Sequence, residues 1–267
     1  MAGGTAFYFS YAVSNLDVKY LLMTALAEDD MQYVDRLRSK GLEIKVQPST
    51  HTVFFENIYG DNPDIRTQNV LAKADPFAIE PLESVEAQIF HLGSLLADDM
   101  STDFIKAVSK KGKVSLDAQG YLRKVENQKV LAIDWPEKTE ALQYVDILKV
   151  DEAEMAVLTG YKQVSDGAKL LSDWGVKEVV VTNGSMGSAI YSAGTFYNIP
   201  AYRPKVIVDA TGCGDTYMGG YLYQRVKGIG IQESGEFAAA IASLKMESPG
   251  PFKGTEDDII HRLSKPF

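Results

Sequence analysis

The sequence predicts an α/β fold with a mostly parallel central sheet covered by helices, and three observations carry that expectation. Short β-branched runs alternate with amphipathic helical stretches at the spacing of βαβ units. The 267 residues, 45% of them hydrophobic, are enough to bury one large core. A charged fraction of 24% is ordinary globular composition rather than disordered, collagen-like or membrane composition, and the chain has no internal repeat and no low-complexity tract.

The elements follow in order. Strand-like runs are Tyr20–Ala25, Leu42–Gln47, Val53–Tyr59, Ala87–Leu92, Lys113–Asp117, Val145–Val150 and Glu178–Thr182. Helical periodicity covers Met31–Ser39, Thr102–Lys110, Lys138–Tyr144 and Ser165–Trp174. Residues Gly41–Asp75 break the rhythm: two consecutive β runs, then the loop Gly60-Asp61-Asn62-Pro63-Asp64, read as a small hairpin outside the main sheet. Such a hairpin is either a lid over a site at the strand ends or an edge extension of the sheet. Ser188–Ile199 reads as two short antiparallel strands joined at Ala193-Gly194. A further β run, Lys205–Val208, leads into a glycine-rich turn and helices near Asp215–Lys227, Ile231–Met246 and Thr255–Leu263.

Composition limits the function. With 27 Lys+Arg against 36 Asp+Glu the formal charge is −9, which disfavours nucleic acid and anionic membranes as partners. A small phosphorylated ligand stays compatible, because clustered backbone N–H groups hold an anion against the global field. The single Cys213 excludes an intrachain disulfide framework and a multi-cysteine metal site. No apolar run approaches the roughly 18 residues of a membrane span. The N-terminus lacks a basic leader region, so a soluble cytoplasmic protein is expected.

Val208-Asp-Ala-Thr-Gly-Cys-Gly-Asp-Thr216 carries the chemistry. Glycines permit the geometry that aims successive N–H groups into one concavity, here those of Gly212, Cys213 and Gly214. The dipole of the following helix reinforces that anion hole. Asp215 in the first helical turn is a candidate base for a hydroxyl attacking phosphorus, although an acid there also serves plain dipole compensation. Two other phosphate motifs fail: the dinucleotide fingerprint needs glycine where Tyr217 stands, and Gly112-Lys113 is followed by Val114 with Ala107 in place of a P-loop glycine. Asp151-x-x-Glu154 has the spacing of a helix capping box. Asn183-Gly184 reads as a hairpin turn. Asp117-Ala-Gln119-Gly-Tyr-Leu-Arg123 follows a strand and offers donors and acceptors for a polyol, with Arg123 equally suited to a surface ion pair. His51, His91 and His261 lack ligand spacing, and Trp135 and Trp174 read as core anchors.

Asp209-Ala-Thr-Gly-Cys-Gly-Asp215 resembles the D-T-x-G-A-G-D signature of the ribokinase-like (PfkB) carbohydrate kinases. Thr182-Asn-Gly184-Ser-Met-Gly187 resembles their T-x-G-x-x-G nucleotide segment, Asp151-Glu-Ala-Glu154 their N-x-x-E block, and Gly3-Gly4 their N-terminal double glycine. The match runs in the family's order along nearly the whole chain. The resemblance implies a single ribokinase-like domain with a small β lid, and ATP-dependent phosphorylation of a sugar or polyol hydroxyl. Asp215 would be the base, and Gly212, Cys213 and Gly214 would stabilise the transition state. Thr182, Gly184 and Gly187 would shape the nucleotide site with Thr211. Glu154, with Asp151 in place of the usual Asn, would organise Mg2+. Asp209 and Thr211 would join a monovalent-cation site for an ion such as K+. Gly4, Gln119 and Arg123 would meet the substrate. Ser248-Pro249-Gly250-Pro251, a helix terminator, would lie near the adenine. Members carry a first strand before the double glycine, ending near an acid that grips sugar hydroxyls; in this chain, which opens Met1-Ala2-Gly3-Gly4, that strand is expected to be missing. Nucleoside kinases share the scaffold, and a nucleotide-binding paralogue without turnover is the reading from a different class. A homodimer pairing through the lid is compatible with the family.

Overall fold

A computed structural model describes residues 2–59 and 66–264 of the chain. Helix α1 (Gly4–Val13) comes first, then β1 (Leu21–Leu26), α2 (Met31–Arg38) and β2 (Glu43–Pro48). β1 and β2 pair in parallel as a two-stranded sheet, and α2 covers them by packing Val34 and Leu37 on Leu22, Leu26 and Ile44. The strands β3 (Phe54–Tyr59) and β4 (Arg66–Ala72) follow, then β5 (Ile89–Leu92), α3 (Thr102–Ser109) and β6 (Lys113–Asp117). After β7 (Arg123–Glu126), β8 (Lys129–Ala132) and α4 (Lys138–Ala141) come β9 (Ile147–Asp151), α5 (Glu152–Thr159), α6 (Val164–Asp173) and β10 (Glu178–Thr182). The chain continues through β11 (Ser188–Ser192), β12 (Thr195–Ile199), α7 (Cys213–Val226), α8 (Ile231–Lys245) and α9 (Glu256–Leu263).

The main sheet is mixed, in the order β12-β11-β10-β9-β6-β5. Its strands β5, β6, β9 and β10 run parallel, and β11 and β12 add on as an antiparallel hairpin. Side-chain alternation splits the central strands between two cores. Leu148, Val150, Val179 and Val181 pack with α3, α5 and α6, whereas Ile147 and Val180 pack with α1, α7 and α8. Each buried Val or Leu contributes about 1.5–3 kcal/mol, which is why these strands read as almost continuous apolar runs. Between β1 and β5, whose edges are unpaired on that side, lies a cavity of about 850 Å³ lined by residues 21–26 and 89–93. Gly4 and Thr5 also line this cavity.

Two sequence expectations are corrected. The hairpin within Gly41–Asp75 is β3 with β4, because β2 pairs with β1 instead. The loop Gly60-Asp61-Asn62-Pro63-Asp64 lies outside the described residues. That hairpin is joined by β8 and β7 into a four-stranded sheet of order β3-β4-β8-β7, so the excursion is larger than the sequence suggests. Lys205–Val208 forms no strand: it joins none of the sheets among the described residues, and Val206, Ile207 and Val208 are exposed. The segment is instead held by Val208 and Asp209 N–H, which both donate to Met246 O (2.8 and 3.3 Å). Among the described residues, no helix is long and apolar enough to cross a membrane.

Candidate active site

Strand register brings the predicted site residues to one edge of the main sheet. Asp117, the last residue of β6, lies beside Lys149 of β9, and Thr182, the last of β10, lies beside Asp151. These are the carboxyl ends of parallel strands, where ligands of open α/β sheets sit. The N-terminus of α7 meets the same edge: a Cβ built on Gly214 would lie 3.3 Å from Lys149 Nζ.

The turn into α7 has the shape its glycines suggest. Gly212 adopts φ +73°, and a Cβ there would lie 2.1 Å from the Tyr8 ring, so this position needs glycine on both counts. No side chain caps α7, which leaves amides of its first turn available to a ligand. One detail is corrected. Cys213 N–H donates to Ala210 O at 3.3 Å, closing the turn, so it does not converge with those of Gly212 and Gly214. Burial pushes the Cys213 thiol up to about 11, countered by Lys245 and raised further by Asp209, so the cysteine behaves as a small filler.

Asp215 is half-buried in the first turn of α7. Burial, with the nearby Asp117 carboxylate, pushes its carboxyl up to about 6; the Thr5 hydroxyl, Lys149 and Arg123 oppose that rise. Thr5 reaches this place because α1 closes onto Gly93, where a Cβ would lie 2.2 Å from Thr5 Cγ2. The resulting carboxyl sits near the proton affinity that suits a general base at neutral pH.

Sequence reasoning missed Lys149. Its ammonium is buried with Asp117 Oδ2 at 3.1 Å and Glu154 Oε2 at 3.7 Å. Burial lowers the proton affinity of that ammonium, but Asp117 and Glu154 outweigh it and raise the lysine above its ordinary range. The signal was present as a lysine inside the apolar run Ile147-Leu-Lys-Val150, because a buried cation requires partners.

Asp151 and Glu154 form a capping box at the start of α5. Glu154 N–H donates to Asp151 Oδ1 and Asp151 N–H donates to Glu154 Oε2, both at 2.7 Å. Burial raises the Glu154 carboxyl, with Lys149 pulling it back. Beside it, Asn183 Nδ2 donates to Glu152 Oε1 (2.6 Å), and Asn183 N–H donates to Gly187 O (2.8 Å). Gly184 and Gly187 thus belong to the connection between β10 and β11, as the hairpin reading expects, and Thr182 ends β10 just before it; Gly184 (φ +48°) and Gly187 (φ +93°) both take left-handed geometry. Among the described residues no group of three or more His, Cys, Asp or Glu is arranged to hold a metal. Asp151 and Glu154 offer two carboxylates beside one another, and magnesium is commonly carried by one or two carboxylates together with substrate phosphates.

The substrate candidates converge less tightly. Gly4 (φ +73°) starts α1 and lines the large cavity. Gln119, partly exposed, donates its N–H to Asp117 Oδ1 at 3.0 Å. Arg123 begins β7, tying the four-stranded sheet to the site, and its charge reaches Asp215. Asp209 and Thr211 are brought together, with Thr211 N–H donating to Asp209 Oδ1 at 2.8 Å. They do not fit a free monovalent cation: Lys245 Nζ holds Asp209 O at 2.7 Å and lies 3.2 Å from Oδ2, which also accepts Gly250 N–H at 3.1 Å. His91, stacked on Phe9, is a packing residue whose burial lowers it to about 4.

Comparison with known proteins identifies the family of the chain. The model of the pfkB family carbohydrate kinases matches residues 2–258. A ribokinase from Arabidopsis thaliana is 31% identical over 248 residues, covering 89% of this chain and 61% of that protein's length. A cytidine kinase from Thermococcus kodakarensis is 25% identical over 240 residues, covering 87% of this chain and 83% of the relative. Among solved structures, a pyrophosphate-dependent kinase of the ribokinase family, determined with sulfate, superposes with a TM-score of 0.87 at 31% identity, covering 97% of this chain and 91% of the other. In a further structure with the same TM-score and 30% identity, covering 97% and 91% of the two chains, a kinase so described holds a pyrophosphate analog and myo-inositol. With the signature turn, the strand-end carboxylates and a family match over almost its full length, this chain belongs to the pfkB family of carbohydrate kinases.

Proposed function

We propose that the chain transfers the terminal phosphoryl group of ATP to a hydroxyl of a sugar or polyol. The single observation that carries this reading is the placement of a carboxyl held at about 6, Asp215, in the uncapped first turn of α7. Asp215 accepts the hydroxyl proton as the oxygen attacks phosphorus, a role that contributes about 10²–10⁴-fold. The amides of Gly212 and Gly214 and the α7 dipole meet the charge that develops on the transferring group. Lys149 adds positive charge behind Gly214, and its pairing with Asp117 and Glu154 fixes that charge in place. Asp151 and Glu154 would hold magnesium, which would supply neutralisation of the donor's charge. Thr182, Gly184 and Gly187 flank the donor, while Gly4, Gln119 and Arg123 contact the acceptor.

A second reading replaces ATP by pyrophosphate and makes a cyclic polyol the acceptor. The likeness to the pyrophosphate-dependent inositol-binding kinase, at 30% identity and TM-score 0.87, favours it. One experiment separates the two: ATP and pyrophosphate are each paired with a panel of ribose, fructose, myo-inositol and nucleosides, and phosphorylated product is measured. Product with ATP and a sugar or polyol supports the first reading, product with pyrophosphate alone supports the second, and product with neither donor removes both.

The four-stranded sheet supports pairing with a second copy. The hydrogen bond from Asn69 to Glu56 marks a face that also carries the exposed Ile58, Leu71 and Leu131. A dimeric mass in solution that reverts to monomer in Leu71→Lys is the expected outcome, and a monomeric wild type rejects it.

A further inference from the structure

Lys245 is the last residue of α8, and its side chain is fully buried (0% exposed). A lysine is almost never buried this completely without a charge partner. Here the partner is one residue, met twice: Nζ donates to Asp209 O at 2.7 Å and lies 3.2 Å from Asp209 Oδ2. The ammonium has three donors, and its remaining side faces the Tyr8 ring, 5.5 Å from the centroid. One carboxylate oxygen and one carbonyl oxygen are the ligand types a hard monovalent cation takes.

What these contacts hold is the anion-binding turn. Asp209 Oδ1 accepts Thr211 N–H, Oδ2 accepts Gly250 N–H, and Gly212 follows with the Tyr8 ring against its α-carbon. The next residue of α8's terminus, Met246, clamps the backbone of Val208 and Asp209 from the same side. Burial raises the Asp209 carboxyl, but hydrogen bonds from Thr211, Lys245 and Gly250 outweigh it and hold it at about 2, so the carboxylate stays charged. A permanent anion, a carbonyl and an aromatic face thus enclose a single positive charge that belongs to the chain itself.

We propose that the Lys245 ammonium takes the place of a dissociable monovalent cation behind the Gly212–Gly214 turn, so that the chain works without potassium. Lys245 is a positioning residue: it touches neither donor nor acceptor, and acts by holding Asp209 and hence Gly212. The inference rests on the phosphoryl-transfer reading for its consequence in turnover, but not for its consequence in cation binding. Lys245→Met leaves the Asp209 oxygens facing a hole that a dehydrated potassium ion can enter.

The test compares wild type and Lys245→Met in potassium chloride and in tetramethylammonium chloride at equal ionic strength, about 0.1 M. Wild-type turnover is expected to be the same in the two salts, within about twofold, and its thermal unfolding midpoint likewise. Lys245→Met is expected to lose about 100-fold in turnover in tetramethylammonium, a size typical of losing one preorganised oxyanion donor, and to recover with potassium. Its unfolding midpoint is expected to rise with potassium where that of wild type does not. Wild-type activity or unfolding that saturates with potassium overturns the proposal, as does a folded Lys245→Met protein indifferent to potassium in both measurements. If the variant does not fold, the wild-type comparison decides alone. If no donor and acceptor pair turns over, the unfolding measurements still decide, so the two readings fail separately.

Discussion

Lys149 and Asp117 face each other from paired strands, β9 and β6, with Nζ 3.1 Å from Oδ2 and both side chains buried. Glu154 approaches the same ammonium from the first turn of α5. This one lysine therefore links the end of β6, the capping box of α5 and the start of α7. Lys149→Met removes the ammonium that faces two buried carboxylates. The expected loss is about 3–5 kcal/mol of unfolding free energy, the range for breaking one side of a buried ion pair. Urea titration of the variant against wild type measures it.

The raised Asp215 carboxyl gives a pH dependence whose direction is determined. As a base it must be ionised, so kcat/KM is expected to rise with pH through about 6 and level off above. A pH profile that is flat between pH 5 and pH 7 contradicts the assignment.

The same shift has a signed consequence for stability. A folded-state carboxyl at about 6, against an ordinary value of 3.8, favours folding less as the group ionises. Stability is thus lost as pH rises from about 4 to about 6. Asp215→Asn is expected to unfold at higher urea than wild type near pH 7.5, by on the order of 1–3 kcal/mol, with the difference shrinking toward pH 4. Paired urea titrations at the two pH values test this.

Gly212→Ala places a methyl on the Tyr8 ring and strains a backbone at φ +73°. A loss of at least about tenfold in kcat is expected, with about 1–3 kcal/mol of stability, because the turn must open to relieve both clashes. Steady-state kinetics and thermal unfolding report the two effects.

Arg123→Ala is expected to raise KM for the acceptor by about tenfold or more with a smaller change in kcat, the pattern of lost ground-state binding. Because Arg123 opposes the rise of the Asp215 carboxyl, the same variant should shift the acid limb of the pH profile upward. An unchanged KM and an unchanged limb together remove Arg123 from the site.

Much of this was readable in the chain. The strands Lys113–Asp117 and Glu178–Thr182 match the structure residue for residue, since apolar runs buried on both faces leave little latitude in their ends. The capping box at Asp151 and Glu154 and the turn at Gly212 follow from local chemistry alone. What was not legible depends on which segments meet. β2 has the same alternation whether it pairs with β1 or β3, so only tertiary contact selects its partner. Val206 to Val208 have strand-forming side chains but no strand to join. Lys245 looks like an ordinary basic residue closing a helix, and only the return of Asp209 beneath it reveals a buried charge.

The most direct test of the central claim is Asp215→Asn, assayed for product with the donor and acceptor that wild type uses, beside a measurement of donor affinity. The account predicts that turnover falls by about 10²–10⁴-fold while donor binding stays within a few-fold, because the amides of the turn remain and only the proton acceptor is lost. Turnover equal to wild type in a folded Asp215→Asn protein would contradict it.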